Sequence, residues 1–375
     1  MSAALWLGAY PAAGPDGPAG QGEGIWRLEL DEATGGLVGT LAAPTAAPSF
    51  LALSADGRSL FAAGETAPGS VTRFDVRPDG GLVPRERVSC GGSAPCHLLM
   101  HPRGRALYVA NYASGSVAVL PLEPGGPGEG PRLAGGVAQV FEHSGRGPRA
   151  DRQEGPHAHM SLVAPGGRHL LVADLGTDEL RSYDLGEDGR LRVAGVAHTF
   201  APGTGPRHLA ALGGDDAGRG ARLVVLGELD AAVHLLSWDP DTGTAEELQV
   251  LPACVSPAVT GREAFPAHVV VHDDVVLVGV RGPDVLARFA VGDDGLLTHV
   301  ADVPVGGSWP RHHAVLPGSG WVVVAAQGSD VVTTLRADPG ASPDPSGRGP
   351  QPVVGRLAVP VPACVVLAPS PGRAP

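Results

Sequence analysis

Residues 95–122 read PCHLLMHPRGRALYVANYASGSVAVLPL, and the fold turns on this stretch. Three short apolar runs, CHLLM, ALYVAN and SVAVLPL, are separated by HPRGR and YASG, whose Gly, Pro and Ser punctuate strands rather than helices. The unit therefore predicts an antiparallel meander. It recurs as PSFLALSADGRSLFAAGETAPGSVTRFDV from Pro48 and HAHMSLVAPGGRHLLVADLGTDELRSYDL from His157. Less regular copies are PRHLAAL from Pro206, PAHVVVHDDVVLVGVRGPDVLARFAV from Pro266 and PRHHAVLPGSGWVVVAAQGSDVVTTLRAD from Pro310. Successive starts lie roughly 44 to 62 residues apart, the period of four-stranded propeller blades. Segments such as GLVPRERVS and LLTHVADVPV supply fourth strands. No long stretch carries helical periodicity.

Six leads leave the two ends to be placed. LWLGAY and GIWRLEL resemble the second and third strands of a blade that lacks its first. PACVVL, Pro362 to Leu367, resembles a first strand with nothing after it. Joined, they complete a seventh blade and remove the open sheet edges of an unclosed array. The expectation is an all-β, seven-bladed β-propeller, one domain over residues 1–375, its ring closed by pairing the N-terminal strands with the C-terminal strand. DPGASPDPSGRGPQP, residues 338–352, reads as a flexible linker within it, residues 368–375 as a disordered tail, and GPGEGPRLAGG, residues 126–136, as a long loop.

Composition agrees with this plan and narrows the partners. The chain holds 56 Gly and 37 Pro, yet 43% of its residues are hydrophobic, so the Gly and Pro serve as turn residues between many strands. A net charge of −12 argues against a nucleic-acid partner, which needs a basic face. All basic residues are arginine, which excludes a Schiff-base lysine and a P-loop lysine. Cys90, Cys96, Cys254 and Cys364 form no C-x-x-C pair and suggest no disulfide framework. The N-terminus lacks the basic start and apolar core of a signal peptide, and no run of about 18 apolar residues suggests a membrane span. A cytoplasmic monomer is expected. No G-x-S-x-G elbow and no Gly-rich strand-to-helix turn appear, so neither a serine hydrolase nor a nucleotide cofactor is indicated. His157 and His159, or His312 and His313, lack a third ligand at a convincing spacing, so neither metal nor any other cofactor is expected.

In a propeller the first strands line the channel, and the turns at one mouth carry function. Aligning the repeats gives two columns. Just inside the first strand stand Ser49, Cys96, His159, Arg207, Ala267 and Arg311. At the end of the second strand stand Thr66, Tyr112, Leu175, Glu228, Arg281 and Gln327, with Glu65, Asn111 and Asp174 one place earlier. Charged members concentrate in the later blades. The polar segment RQEGPHAH, Arg152 to His159, enters the third repeat and delivers His157 and His159 to that mouth. Arginines, histidine and glutamate together would form a cationic funnel for a phosphorylated or carboxylated ligand, because guanidinium grips such groups through paired hydrogen bonds. The structural alternative is that they pair with one another and satisfy strand ends. Cys96 reads as a small buried thiol.

RQEGPHAH, LLVADLGTD, GPRHLAAL, LGEL, GVRGPDVLARFAV, WPRHHAV and VAAQGSDVVTTL together resemble the bacterial propeller-type 6-phosphogluconolactonases, a lactonase family that also includes a fungal carboxymuconate-lactonising enzyme. The resemblance runs over nearly the whole chain. It implies a site of histidine, glutamate and arginines at the channel mouth. The match at GPHAH puts the histidine at His159, and that at GPRH puts an arginine at Arg207. Gly227-Glu228 and Val280-Arg281 stand where relatives have Asn-Glu and Asn-Arg, and Gln327 likewise lacks a preceding asparagine. The implied function is hydrolysis of a sugar lactone, with 6-phosphogluconolactone the expected substrate. His159, Glu228, Arg207 and Arg281 are the candidate catalytic residues, and Arg152, His157, Arg311 and Gln327 the candidate substrate-binding ones. Glu228 would orient or deprotonate water, with His159 as the other base or as the acid for the ring oxygen. Arg207 or Arg281 would face the oxyanion, leaving Arg311 and Arg152 for phosphate. A muconate-type cycloisomerase and a non-catalytic binding propeller are the competing readings.

Overall fold

The computed structural model describes residues 2–10, 22–213, 220–259, 261–337 and 353–368. Among them nearly all regular structure is strand, and the one helical element is a 3-10 turn, Gln327–Ser329. No helix in this range is long and apolar enough to cross a membrane. Six antiparallel meanders follow one another in sequence: blade I (48–89), blade II (95–142), blade III (158–199), blade IV (206–252), blade V (265–304) and blade VI (310–358). The seventh is composite, as the termini predicted. Pro362–Leu367 pairs with Ser2–Ala9, which continues to Gly24–Asp31 and Leu37–Pro44. Leu5 lies opposite Leu367 and Leu7 opposite Val365. Seven sheets so ordered are the strand complement of a seven-bladed propeller.

The segment read as a long loop is partly strand. Arg132–Leu133 pairs with the end of Ser116–Glu123, and Gln139–Glu142 pairs with its beginning, so the outer strand of blade II is made in two pieces. The linker at 338–352 lies outside the described residues, as does the tail beyond Ala368. Ala368 itself donates its N–H to the Ala4 carbonyl (3.0 Å).

The described chain comprises two compact units. One holds blades I to IV, Pro48–Ala253 with Val291–Thr298, and the other is built from Cys254–Ala290 and the terminal segments. In both, the core lies between consecutive blades. Second strands such as Ala106–Asn111 are buried along their whole length. Because successive side chains point to opposite faces, Leu107 and Val109 pack on blade I while Tyr108 and Ala110 pack on blade III. That is why these strands read as unbroken apolar runs, whereas outer strands such as Leu82–Ser89 are mostly exposed or half-buried. The same packing joins blades III and IV through Leu171, Leu209 and Val225. In the second unit it joins VI and VII through Leu5, Leu7, Val323 and Val365. Each such side chain contributes about 1.5–3 kcal/mol on burial.

Two local devices set the blade leads, where the candidate residues sit. Ala47, Ala94, Gly205, Trp309 and Val361, each just before the proline that starts a blade, have φ of 51, 51, 59, 63 and 44°. A non-glycine residue pays on the order of 1–2 kcal/mol there. Aspartates hold three of them. Asp178, Asp284 and Asp330 accept the N–H of Gly205 (2.7 Å), Trp309 (2.7 Å) and Val361 (2.8 Å). The second device serves the unpaired edge of each first strand, whose N–H groups need acceptors. His97 Nδ1 accepts from Ser161 N–H (3.4 Å), Met160 Sδ from Leu209 N–H (3.3 Å) and His312 Nδ1 from Val365 N–H (3.4 Å). Burial pushes the His97 imidazole down to about 3, so it stays neutral and able to accept.

Candidate active site

In the first unit, Arg152 and Arg207 converge on the buried carboxylate of Glu228. Arg207 is the second residue of the strand Pro206–Leu212, and Glu228 follows the adjacent strand Arg222–Gly227. Antiparallel pairing of Pro206 with Gly227 brings them side by side. Arg207 Nη1 donates to Glu228 Oε2, and Arg152 Nη2 donates to Glu228 Oε1 (2.7 Å). The Glu228 side chain is 1% exposed, Arg207 4% and Arg152 17%. One buried carboxylate is thus shared by two guanidiniums. Burial opposes the charge on Arg152, but the Glu228 carboxylate and the Tyr112 hydroxyl outweigh it and hold the guanidinium above its ordinary value.

The two histidines flank a single ring. Tyr112 stacks on His157 at 4.3 Å between centroids and meets His159 edge-on at 5.6 Å. His159 also meets His208 edge-on at 5.2 Å. The strand begins at Ala158, so His159 lies within it and His157 just before it. His157 Nδ1 donates to the Tyr112 carbonyl (2.9 Å), and its Nε2 lies 3.3 Å from the Glu154 carboxylate. Its backbone N–H donates to Asp174 Oδ1 (2.8 Å). Asp174, wholly buried, also accepts from the Gly176 and Thr177 N–H groups, and its Oδ2 lies 2.5 Å from His143 Nδ1. Burial pushes its carboxyl up, yet the His143 contact, the His157 N–H and Arg181 outweigh burial and hold it below the usual aspartate value. Cys96 is buried, its Sγ 3.3 Å from the His159 carbonyl, in keeping with a packed thiol.

Arg281, Arg311 and Gln327 belong to the second unit. Arg281, 2% exposed, donates from Nε to the Phe265 carbonyl (3.2 Å) and lies 5.2 Å over the Trp309 ring and 5.7 Å over Phe265. Arg311 lies 4.3 Å over the Tyr10 ring. Gln327 is buried, and its Oε1 has no hydrogen-bond partner among the described residues.

The structure departs from the sequence reading at two positions of the second column. Pairing of Pro48 with Gly64 puts Glu65, not Thr66, in the column that holds Tyr112 and Glu228. Tyr112, the aromatic member of that column, meets both His157 and His159, a role that the charge pattern of the column does not signal. At Gly227, an added Cβ would lie 2.0 Å from Asp230 Oδ1, so Asp230 fills the space beside that position. Its other oxygen lies 3.0 Å from His234 Nε2. A separate groove of about 530 Å³, at the opposite strand ends of blades I and II, is lined by Leu53, Asp56, His101 and Arg103 and holds none of these residues.

Comparison with known proteins fits this arrangement. Residues 4–367 match the family model described as Lactonase, 7-bladed beta-propeller. A 6-phosphogluconolactonase of Bacillus subtilis (strain 168) is 31% identical over 310 residues, 82% of this chain and 85% of that one. Among solved structures, a periplasmic gluconolactonase of Pseudomonas aeruginosa aligns with a TM-score of 0.81 at 28% identity, covering 99% of this chain and 100% of the other. A protein from Lactobacillus plantarum aligns with a TM-score of 0.82 at 26% identity, covering 98% and 99%.

Proposed function

This chain belongs to the lactonase family of seven-bladed β-propellers, a lactone-hydrolysing family, and from that premise we propose that its substrate is a phosphorylated sugar lactone, 6-phosphogluconolactone, opened to 6-phosphogluconate. The observation that carries the substrate is the buried Arg152–Glu228–Arg207 group, which gathers two guanidiniums beside Tyr112 and the two histidines that flank it. In an acidic protein, paired guanidiniums are a favourable place to hold an anion, because their N–H forks match its oxygens. The name of the Bacillus subtilis relative supports the phosphorylated substrate.

In this reading, water attacks the lactone carbonyl, the ring C–O bond breaks, and the ring oxygen leaves with a proton. The Glu228 carboxylate, held in place by the two guanidiniums, orients the water. His159 accepts the water proton and returns it to the ring oxygen, help worth about 10²–10⁴-fold. Arg207 faces the developing oxyanion, on the order of 3 kcal/mol by the scale of single oxyanion donors. Arg152, with the Tyr112 hydroxyl and His157, takes the phosphate.

The test is turnover of freshly made 6-phosphogluconolactone, its product followed with excess 6-phosphogluconate dehydrogenase, beside unphosphorylated gluconolactone. Acceleration over spontaneous opening for the phosphorylated lactone only, lost in Glu228→Gln, supports the reading. Preference for gluconolactone would move the substrate to the unphosphorylated class, which the Pseudomonas aeruginosa neighbour favours by its name. A protein no faster than buffer on either would overturn it.

A further inference from the structure

Next to the two arginines lies a buried amide–carboxylate pair to which the reaction assigns no role. Gln153 is 0% exposed and Asp178 4%. Asp178 Oδ1 accepts from Gln153 Nε2 (2.7 Å) and from the Gly205 N–H (2.7 Å), and its Oδ2 accepts from the Gly203 N–H (2.8 Å). Gln153 Nε2 also donates to the Leu175 carbonyl (2.9 Å), and its Oε1 accepts from the Arg149 N–H (3.2 Å). The backbone N–H groups of Arg152 and Gln153 both reach the Arg149 carbonyl, at 3.0 and 2.6 Å, closing one turn. Gly147 leaves room for the amide: a Cβ there would lie 2.4 Å from Gln153 Cδ.

We propose that Gln153 and Asp178 are the positioning pair of this site, tying the turn that carries Arg152 to the blade lead that carries Arg207 so that both guanidiniums meet Glu228. The physical need is plain. Arg152 sits outside any strand, on a turn with no ladder to hold it. Arg207 lies two residues past Gly205, whose φ of 59° aims its N–H at Asp178. One carboxylate thus sets the separation of two long, entropically costly side chains. A shift of about 1 Å in such a site can cost about 100-fold in rate. The catalytic half of this inference rests on the lactonase reading, whereas the structural half does not.

The experiment compares Gln153→Met, which keeps the length of the side chain and removes its amide, with Arg152→Gln. The first readout needs no substrate: the side-chain resonances of ¹⁵N-arginine, in which the Arg152 signal is identified by its loss in Arg152→Gln. In Gln153→Met that signal is expected to broaden or vanish while backbone signals of blades I and II stay in place. A persisting Arg152 signal would overturn the pairing whatever the substrate. The second readout is a double-mutant cycle in kcat/KM. Each single variant should lose about 10- to 100-fold, and the double variant no more than the worse single. Losses that multiply would show that Gln153 acts apart from Arg152. Wild type without turnover would remove the lactonase reading and leave the resonance experiment to decide the pair. Should Gln153→Met fail to fold, Gly147→Ala displaces the amide without deleting it, and the same loss of signal is expected.

Discussion

Replacing Glu228 by glutamine should move stability, ground-state binding and turnover in different directions. The substitution keeps the shape and leaves Arg152 and Arg207 without their shared negative charge. Breaking a buried ion pair from one side costs about 3–5 kcal/mol when the remaining charge stays dry. Arg207 is that case at 4% exposure, but Arg152, at 17%, can turn towards water, so a loss of about 2–4 kcal/mol is expected. An anion about 5 Å from the position of Glu228 gains at the same time, since the repulsion removed is roughly 3 kcal/mol at an effective dielectric constant of about 20. Solvent and salt reduce that, leaving 6-phosphogluconate bound about 10- to 100-fold more tightly. Turnover should nevertheless fall by about 10²–10⁴. Urea unfolding at unchanged slope, calorimetric titration with 6-phosphogluconate and the coupled assay measure the three terms. A variant as stable as the wild type, with unchanged affinity for the product, would refute the idea that Glu228 holds the two arginines.

Three further outcomes follow from named contacts. His159→Gln should lower kcat by about 10²–10⁴ with little change in KM, because the imidazole serves proton transfer rather than binding; steady-state kinetics decide. His97→Leu deprives the Ser161 N–H of its acceptor and should cost about 1–2 kcal/mol in urea unfolding, the low end for a buried donor because the bond is long at 3.4 Å. Asp174 should make the fold acid-sensitive. Its carboxyl lies lower when folded than the ordinary value of 3.8, so its contribution is fully present above about pH 4 and is lost as the pH falls through the folded value. Stability of Asp174→Asn measured against pH should be flatter in that window, and an unchanged acid slope would count against the His143 and His157 contacts.

The blades could be read from the sequence because a fully buried second strand demands an apolar run. HLLVAD and WVVVAA announce themselves as ALYVAN does. The composite blade was equally legible, since PACVVL has the lead of a first strand and no second strand after it. The site was legible where a column holds charge. Arg207 and Glu228 share a carboxylate contact because pairing of Pro206 with Gly227 sets them side by side. What could not be read depends on three-dimensional closure. The slip from Glu65 to Thr66 arises because one residue of offset beyond the strand leaves no mark in the pattern. Gln153 looks like one polar residue among several in RQEGPHAH, and only its contact with Asp178, 25 residues on, distinguishes it. The space beside Gly227 is taken by Asp230, which the segment LGELD does not reveal.

The pairing of Pro362–Leu367 with Ser2–Ala9 also has a consequence in time. A ribosome working at 5–20 residues per second needs roughly 20–70 s to travel from Ala9 to Pro362. Throughout that interval the strand holding Leu5, Trp6 and Leu7 has one edge open, a template for any passing strand. Every nascent copy on a polysome shows its neighbours the same unfinished edge. Native protein therefore requires that this edge stay unpaired with its neighbours until Pro362–Leu367 emerges.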